Sequence, residues 1–171
     1  VSELDESNNV VADTGRLDIE EPADLEPSSL SGPNSAQGGQ QVSISWRIDN
    51  EGDDSSGWFY WEMYISTDST ITTSDTKLGS TQYANSINGG SYRSGTYSPT
   101  LPSNLAQGNY YWGIIADTTD RVEEGDESNN ILRGNSVSIT VPDYDLEATS
   151  ISVDSNTRQV WEEADIYITI T

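Results

Sequence analysis

Val42-Ser43-Ile44-Ser45-Trp46-Arg47-Ile48-Asp49 is the stretch on which the fold turns. Val42, Ile44, Trp46 and Ile48 alternate with Ser43, Ser45, Arg47 and Asp49. A period of two puts apolar side chains on one face of an extended chain and polar ones on the other, so the segment reads as a half-buried β-strand. Asn50-Glu51-Gly52-Asp53-Asp54 then ends it, because Asn, Gly and Asp favour turn geometry over a strand ladder.

The same grammar extends outward in both directions. Upstream, residues 24–31 form a first strand. Downstream, Trp58–Thr67 carries Phe59, Trp61, Met63 and Ile65 on one face and Trp58, Tyr60, Glu62 and Tyr64 on the other. A loop over Asp68–Thr76 leads to a short strand at Lys77–Ala84 and a glycine turn at Asn88-Gly89-Gly90. Further strands follow at Arg93–Leu101, Asn109–Thr118 and Ser136–Val141, the first stopped by Pro102 and the last by Pro142. No segment carries a helical period. About seven short strands with turns between them predict an all-β, Greek-key sandwich of the immunoglobulin or fibronectin kind, with Tyr110 as a tyrosine corner. The expected core is Leu25, Val42, Ile44, Trp46, Phe59, Trp61, Met63, Ile65, Tyr110, Trp112, Ile114, Ala116, Val137, Ile139 and Val141.

Composition narrows the function. Five Trp, nine Tyr and one Phe supply a core despite a low apolar content of 33%. The absence of Cys and His removes thiol chemistry, the commonest general base and the commonest transition-metal ligand. The formal charge is −22, from 7 basic and 29 acidic residues, which repels nucleic acid and anionic membranes. Two readings of that charge stand: a soluble acidic extracellular protein, or adaptation to a saline habitat. No apolar run approaches the ~20 residues needed to span a bilayer, so no membrane insertion is expected in this segment.

The chain also repeats itself. Asp5-Glu6-Ser7-Asn8-Asn9-Val10 returns as Asp126-Glu127-Ser128-Asn129-Asn130-Ile131, and Asp24-Leu25-Glu26 returns as Asp145-Leu146-Glu147, each 121 positions on (5 to 126, 24 to 145). Val42–Trp46 matches Ile166–Ile170 at 124 (42 to 166). A period this long suits a string of self-contained domains in tandem. The division follows: residues 1–22 as the tail of one repeat, 23–142 as a complete sandwich, and 143–171 as the head of the next. Residue 1 falls inside a motif, so the chain reads as an internal piece of a longer one.

Taken in order, several motifs resemble the CARDB family, the cell-adhesion-related domain of bacterial and archaeal surface proteins. They are Gln37-Gly38-Gly39-Gln40, Trp46 with Asn50-Glu51-Gly52, Tyr64-Ile65-Ser66-Thr67-Asp68, Ser74-Asp75-Thr76 with Leu78-Gly79, Gly108-Asn109-Tyr110-Tyr111, Ile115-Ala116-Asp117, and Val122-Glu123 with Glu127-Ser128-Asn129-Asn130. The resemblance covers essentially all of 23–142. It implies a seven-stranded sandwich, tandem occurrence and exposure at the cell surface, and it implies no catalytic activity.

Candidate chemistry is sparse. There is no nucleophile elbow, Cys/His pair or phosphate loop, and no enzymatic role is expected. Two loops offer oxygen ligands for a hard cation such as Ca²⁺. One holds Asp126, Glu127 and Asn129, with Asp143 and Asp145 near the next boundary; the other is Asp68–Asp75. Neither has EF-hand spacing, and plain turn hydrogen bonding serves both as well. If the core faces are as drawn, Trp58, Tyr60, Tyr64, Tyr111 and Ile115 form an outward stripe, either a binding surface or cross-strand reinforcement.

Three functions follow. The first is a non-enzymatic extracellular structural or adhesive repeat of a microbial stalk, filament or surface layer, whose partners are neighbouring repeats of the same chain or copies of the same protein in an assembly. The second is a module binding glycan or another surface protein. The third is a spacer in a large secreted hydrolase.

Overall fold

The computed structural model describes residues 20–141, 148–153 and 166–170. The chain divides between Thr140 and Val141 into two bodies. The described residues are strands and connections, with no helix.

The first body holds nine strands: β1 (Leu25–Ser31), β2 (Ser35–Gln37), β3 (Ile44–Asn50), β4 (Phe59–Ser66), β5 (Thr76–Lys77), β6 (Gln82–Ala84), β7 (Ser91–Tyr97), β8 (Gly108–Ile115) and β9 (Ile131–Thr140). One sheet runs β1-β3-β7 and the other β2-β9-β8-β4-β5, with β6 also paired to β4. All pairings are antiparallel except β2 with β9. This is the two-sheet sandwich expected, with two strands more than foreseen. The 77–84 segment splits into β5 and β6, and β2 is a three-residue strand too short to show a period.

The core lies between the sheets. Phe59, Met63, Trp112, Ile114 and Ile139 are fully enclosed, as the alternation required. On β1 the alternation slips by one: Leu25 and Pro27 are buried, then Leu30. A bulge between Pro27 and Ser29 absorbs the extra residue and returns Leu30 to the core face. Tyr110 donates its hydroxyl to the Ala106 carbonyl at 3.0 Å, the tyrosine corner predicted from sequence.

Two members of the expected core are corrected. Val141 is exposed, since the chain has left the sheet after Thr140. Trp46 is only partly buried and packs against Trp61 with ring centroids 4.6 Å apart. Ile48, Leu78 and Leu101 are fully buried and were not in that list.

The second body contains β10 (Ala148–Val153) and β11 (Ile166–Ile170), an antiparallel pair. Its register shifts between Ala148 and Ser150. Those residues lie 121 positions beyond Pro27 and Ser29 (27 to 148, 29 to 150), which flank the β1 bulge. Their partners are Ile170 and Thr169, against Ile48 and Arg47 in the first body, an offset of 122 (48 to 170).

Candidate functional site

Gly57, at φ +69°, turns the chain into β4 and leaves Trp58 at its mouth. Tyr60 follows on the same outer face, and β6 pairs Tyr83 directly opposite it. The three rings form one cluster: Trp58–Tyr60 centroids are 5.6 Å apart, Trp58–Tyr83 5.9 Å and Tyr60–Tyr83 6.1 Å. The Arg121 guanidinium lies 3.4 Å above the Trp58 ring, a stacking that fixes both groups. Trp58 is 38% exposed and Tyr83 57%. Sequence reasoning found Trp58 and Tyr60 and missed Tyr83, because a three-residue strand gives alternation nothing to act on.

Two further members of the predicted stripe are covered. Tyr64 and Ile115 face outward from β4 and β8, yet both are buried. The loop after β4 returns across the sheet and sets Ile71 on top of them, forming a second apolar cluster. Tyr64 also donates its hydroxyl to Glu62, which Lys77 approaches to 3.1 Å. Burial, then that hydrogen bond to Glu62, pushes the Tyr64 phenol well above its ordinary range. Tyr111 is half-buried and pairs instead with Arg133, whose guanidinium is 4.9 Å from the ring centre.

The connection from β8 to β9 carries the candidate cation ligands. Asp126 Oδ1 accepts from the Ser128 amide at 2.9 Å and hydroxyl at 2.6 Å, which holds its carboxyl below the usual range. Glu127 Oε1 accepts from the Glu124 amide at 3.0 Å, and Asn129 Nδ2 donates to Asp24 Oδ1 at 2.8 Å. These are turn and strapping contacts. Asp68 and Asp75 likewise accept from the Thr70 and Thr72 amides. Asp143 and Asp145 lie outside the described residues. Among the described residues no three carboxylates converge.

Glu124 went unnoticed in the sequence. It is buried, accepting from the Leu25 amide at 2.6 Å and from Asn130 Nδ2 at 2.9 Å. Burial pushes its carboxyl up to about 7 against those hydrogen bonds, which lower it. It ties the β8–β9 connection to the first residue of β1.

The CARDB family model matches residues 22–134. No curated protein matches the chain. Among solved structures, a CARDB domain from Pyrococcus furiosus in complex with di-metal ions is 19% identical. The likeness covers 72% of this chain and 98% of that one, with a TM-score of 0.55. A solution structure of the same archaeal domain gives 20% identity, coverage of 70% and 96%, and a TM-score of 0.52. A Methanosarcina acetivorans domain, residues 272–376 of its parent, gives 22% identity, coverage of 70% and 93%, and a TM-score of 0.51. At these identities the structural likeness is one of fold. CARDB domains occur in cell-surface proteins and form a non-catalytic family. With the family model spanning most of the sandwich, the chain belongs to the CARDB family.

Proposed function

We propose that this chain is part of a tandem array of non-enzymatic sandwich domains in a microbial cell-surface stalk, filament or surface layer. The observation that carries the reading is the repeated bulge. A register shift in the β10–β11 pair falls 121 positions after the one in the β1–β3 pair (27 to 148), the same spacing as the Asp-Glu-Ser-Asn-Asn motif (5 to 126). Two unrelated domains have no reason to bulge at matching positions. The Methanosarcina relative carries a cell-surface designation, which fits. No helix among the described residues is long and apolar enough to cross a membrane.

Limited proteolysis of the parent protein tests this. Folded domains resist nicking and the junctions between them are cut first, so partial digestion should give a ladder with steps of about 13 kDa. Fragments of unrelated sizes reject the array.

A second reading rests on the Trp58, Tyr60 and Tyr83 cluster. Exposed aromatic faces beside a guanidinium suit a sugar ring or an apolar side chain of a partner protein. Trp58→Ala should then abolish binding to a glycan array or to isolated cell-wall polymer while the melting temperature stays close to that of the parent. Unchanged binding by that variant rejects it.

A further inference from the structure

Among the described residues, four buried side-chain atoms lack any hydrogen-bond partner: Asp117 Oδ1, Thr118 Oγ1, Asn129 Oδ1 and Asn130 Oδ1. All four are oxygens. All four belong to the two arms of the β8–β9 connection, which a backbone bond joins where the Ala116 amide donates to the Asn130 carbonyl at 2.8 Å. Buried acceptors with no donor are rare in folded proteins, and each is a cost to the fold unless something meets it.

The orientation of these groups is set from behind. Asn130 donates its amide nitrogen to Glu124 Oε1 at 2.9 Å, and Asn129 donates its own to Asp24 Oδ1 at 2.8 Å. An ionised carboxylate accepts from an amide nitrogen and not from a carbonyl, so with Asp24 and Glu124 charged both amides present oxygen on the other side. Asp117 Oδ2 is occupied by the Arg121 and Val122 amides, both at 2.7 Å, which leaves Oδ1 to the same region. Asp117 itself is held at φ +36°, a left-handed geometry uncommon outside glycine. Asp117, Thr118 and Asn130 line one open cleft with Asp120 and Glu127. Its remaining walls are mostly apolar, Ile71, Ile115 and Ile131 among them, and it sits in a chain of charge −22.

From these observations we infer that the β8–β9 connection holds a hard cation of the Ca²⁺ class, with Asp117, Thr118 and Asn130 supplying protein oxygens. Ca²⁺ takes six to eight oxygen ligands in adaptable geometry, accepts amide and hydroxyl oxygens beside carboxylates, and completes its shell with water. Asp120 and Glu127, on the rim, are placed to add carboxylate oxygens or to hold bound water. The site differs from the one expected in sequence: of Asp126, Glu127 and Asn129, only Glu127 borders it, and Asp126 is turned away to cap Ser128. Such an ion would join the end of β8 to the start of β9, and through Asn130 and Glu124 to the entry of β1.

The test is calorimetric and thermal titration of the 171-residue chain with CaCl₂, after chelation, in NaCl adjusted to constant ionic strength. Thr118→Val separates the explanations, because the Thr118 hydroxyl makes no hydrogen bond that the change could break. We expect saturable Ca²⁺ binding that raises the melting temperature by several degrees. Affinity should fall about tenfold in Thr118→Val and be lost in Asp117→Asn. A rise that NaCl alone reproduces overturns the site, as does binding unaffected by both variants. So does a Thr118→Val protein that is simply more stable with and without Ca²⁺, since that is how an orphaned hydroxyl with no ligand behaves.

Discussion

A Cβ on Gly113 would stand 2.6 Å from Ile71 Cγ2. Gly113 pairs with Tyr64 in the middle of the β4–β8 ladder, so Ile71 occupies the volume a side chain there would fill. Gly113→Ala should therefore destabilise the sandwich by about 1–3 kcal/mol through overpacking. In an Ile71→Ala background the same change should cost much less, because the clash is gone. Urea unfolding of the four proteins in that cycle measures both. Faster nicking of the 67–75 loop in the Gly113→Ala protein would show that the lid has lifted.

Tyr110→Phe removes the hydroxyl that reaches the Ala106 carbonyl and leaves the buried ring in place. The expected loss is about 1 kcal/mol, the usual net value of one such bond. The slope of the denaturation curve should stay constant, since the surface exposed on unfolding is unchanged.

Acid should weaken the three-stranded sheet through Asp49. That carboxylate is buried on β3 and its pKa is held low by the Arg47 guanidinium at 2.9 Å, with Ser28 adding a further hydrogen bond. A carboxyl depressed in the fold binds its proton more readily when unfolded. Its contribution is therefore complete above the ordinary aspartate pKa of ~3.9 and disappears as pH falls through the lower folded value. Asp49→Asn should be less stable than the parent at neutral pH, and the gap should close below pH ~3. A constant gap across that range counts against the assignment.

Salt should act in the opposite direction. Twenty-nine acidic against seven basic residues leave long-range repulsion that counterions screen over about 10 Å at 0.1 M. The melting temperature should climb between 10 mM and 1 M NaCl. A flat or falling profile removes the case for a saline habitat.

The sandwich was readable because residues 42–49 alternate cleanly, and Val42, Ile44 and Phe59 all landed inside. What stayed hidden was non-local. No alternation rule shows that Ile71, from a loop, will bury Tyr64 and Ile115; the one local hint was a glycine in the middle of a strand, where another part of the chain often comes close. Tyr83 was missed because β6 has only three residues. The orphan oxygens of Asp117 and Asn130 are thirteen positions apart (117 to 130), and the end of the β8–β9 ladder, with the Ala116–Asn130 bond, makes them neighbours.

The parallel pairing of β2 with β9 has a mechanical meaning. Ser35, Ala36 and Gln37 run alongside Ser138, Ile139 and Thr140 in the same direction, and the Ser138 amide adds a bond to the Asn34 carbonyl at 2.9 Å. Tension that draws the start of β2 backward and the end of β9 forward slides these strands past each other lengthwise. Their bonds are then sheared together, where a hairpin pulled at its open end would unzip one bond at a time. In the array proposed above, a domain tugged by flow or by a moving neighbour would meet the force with that clamp.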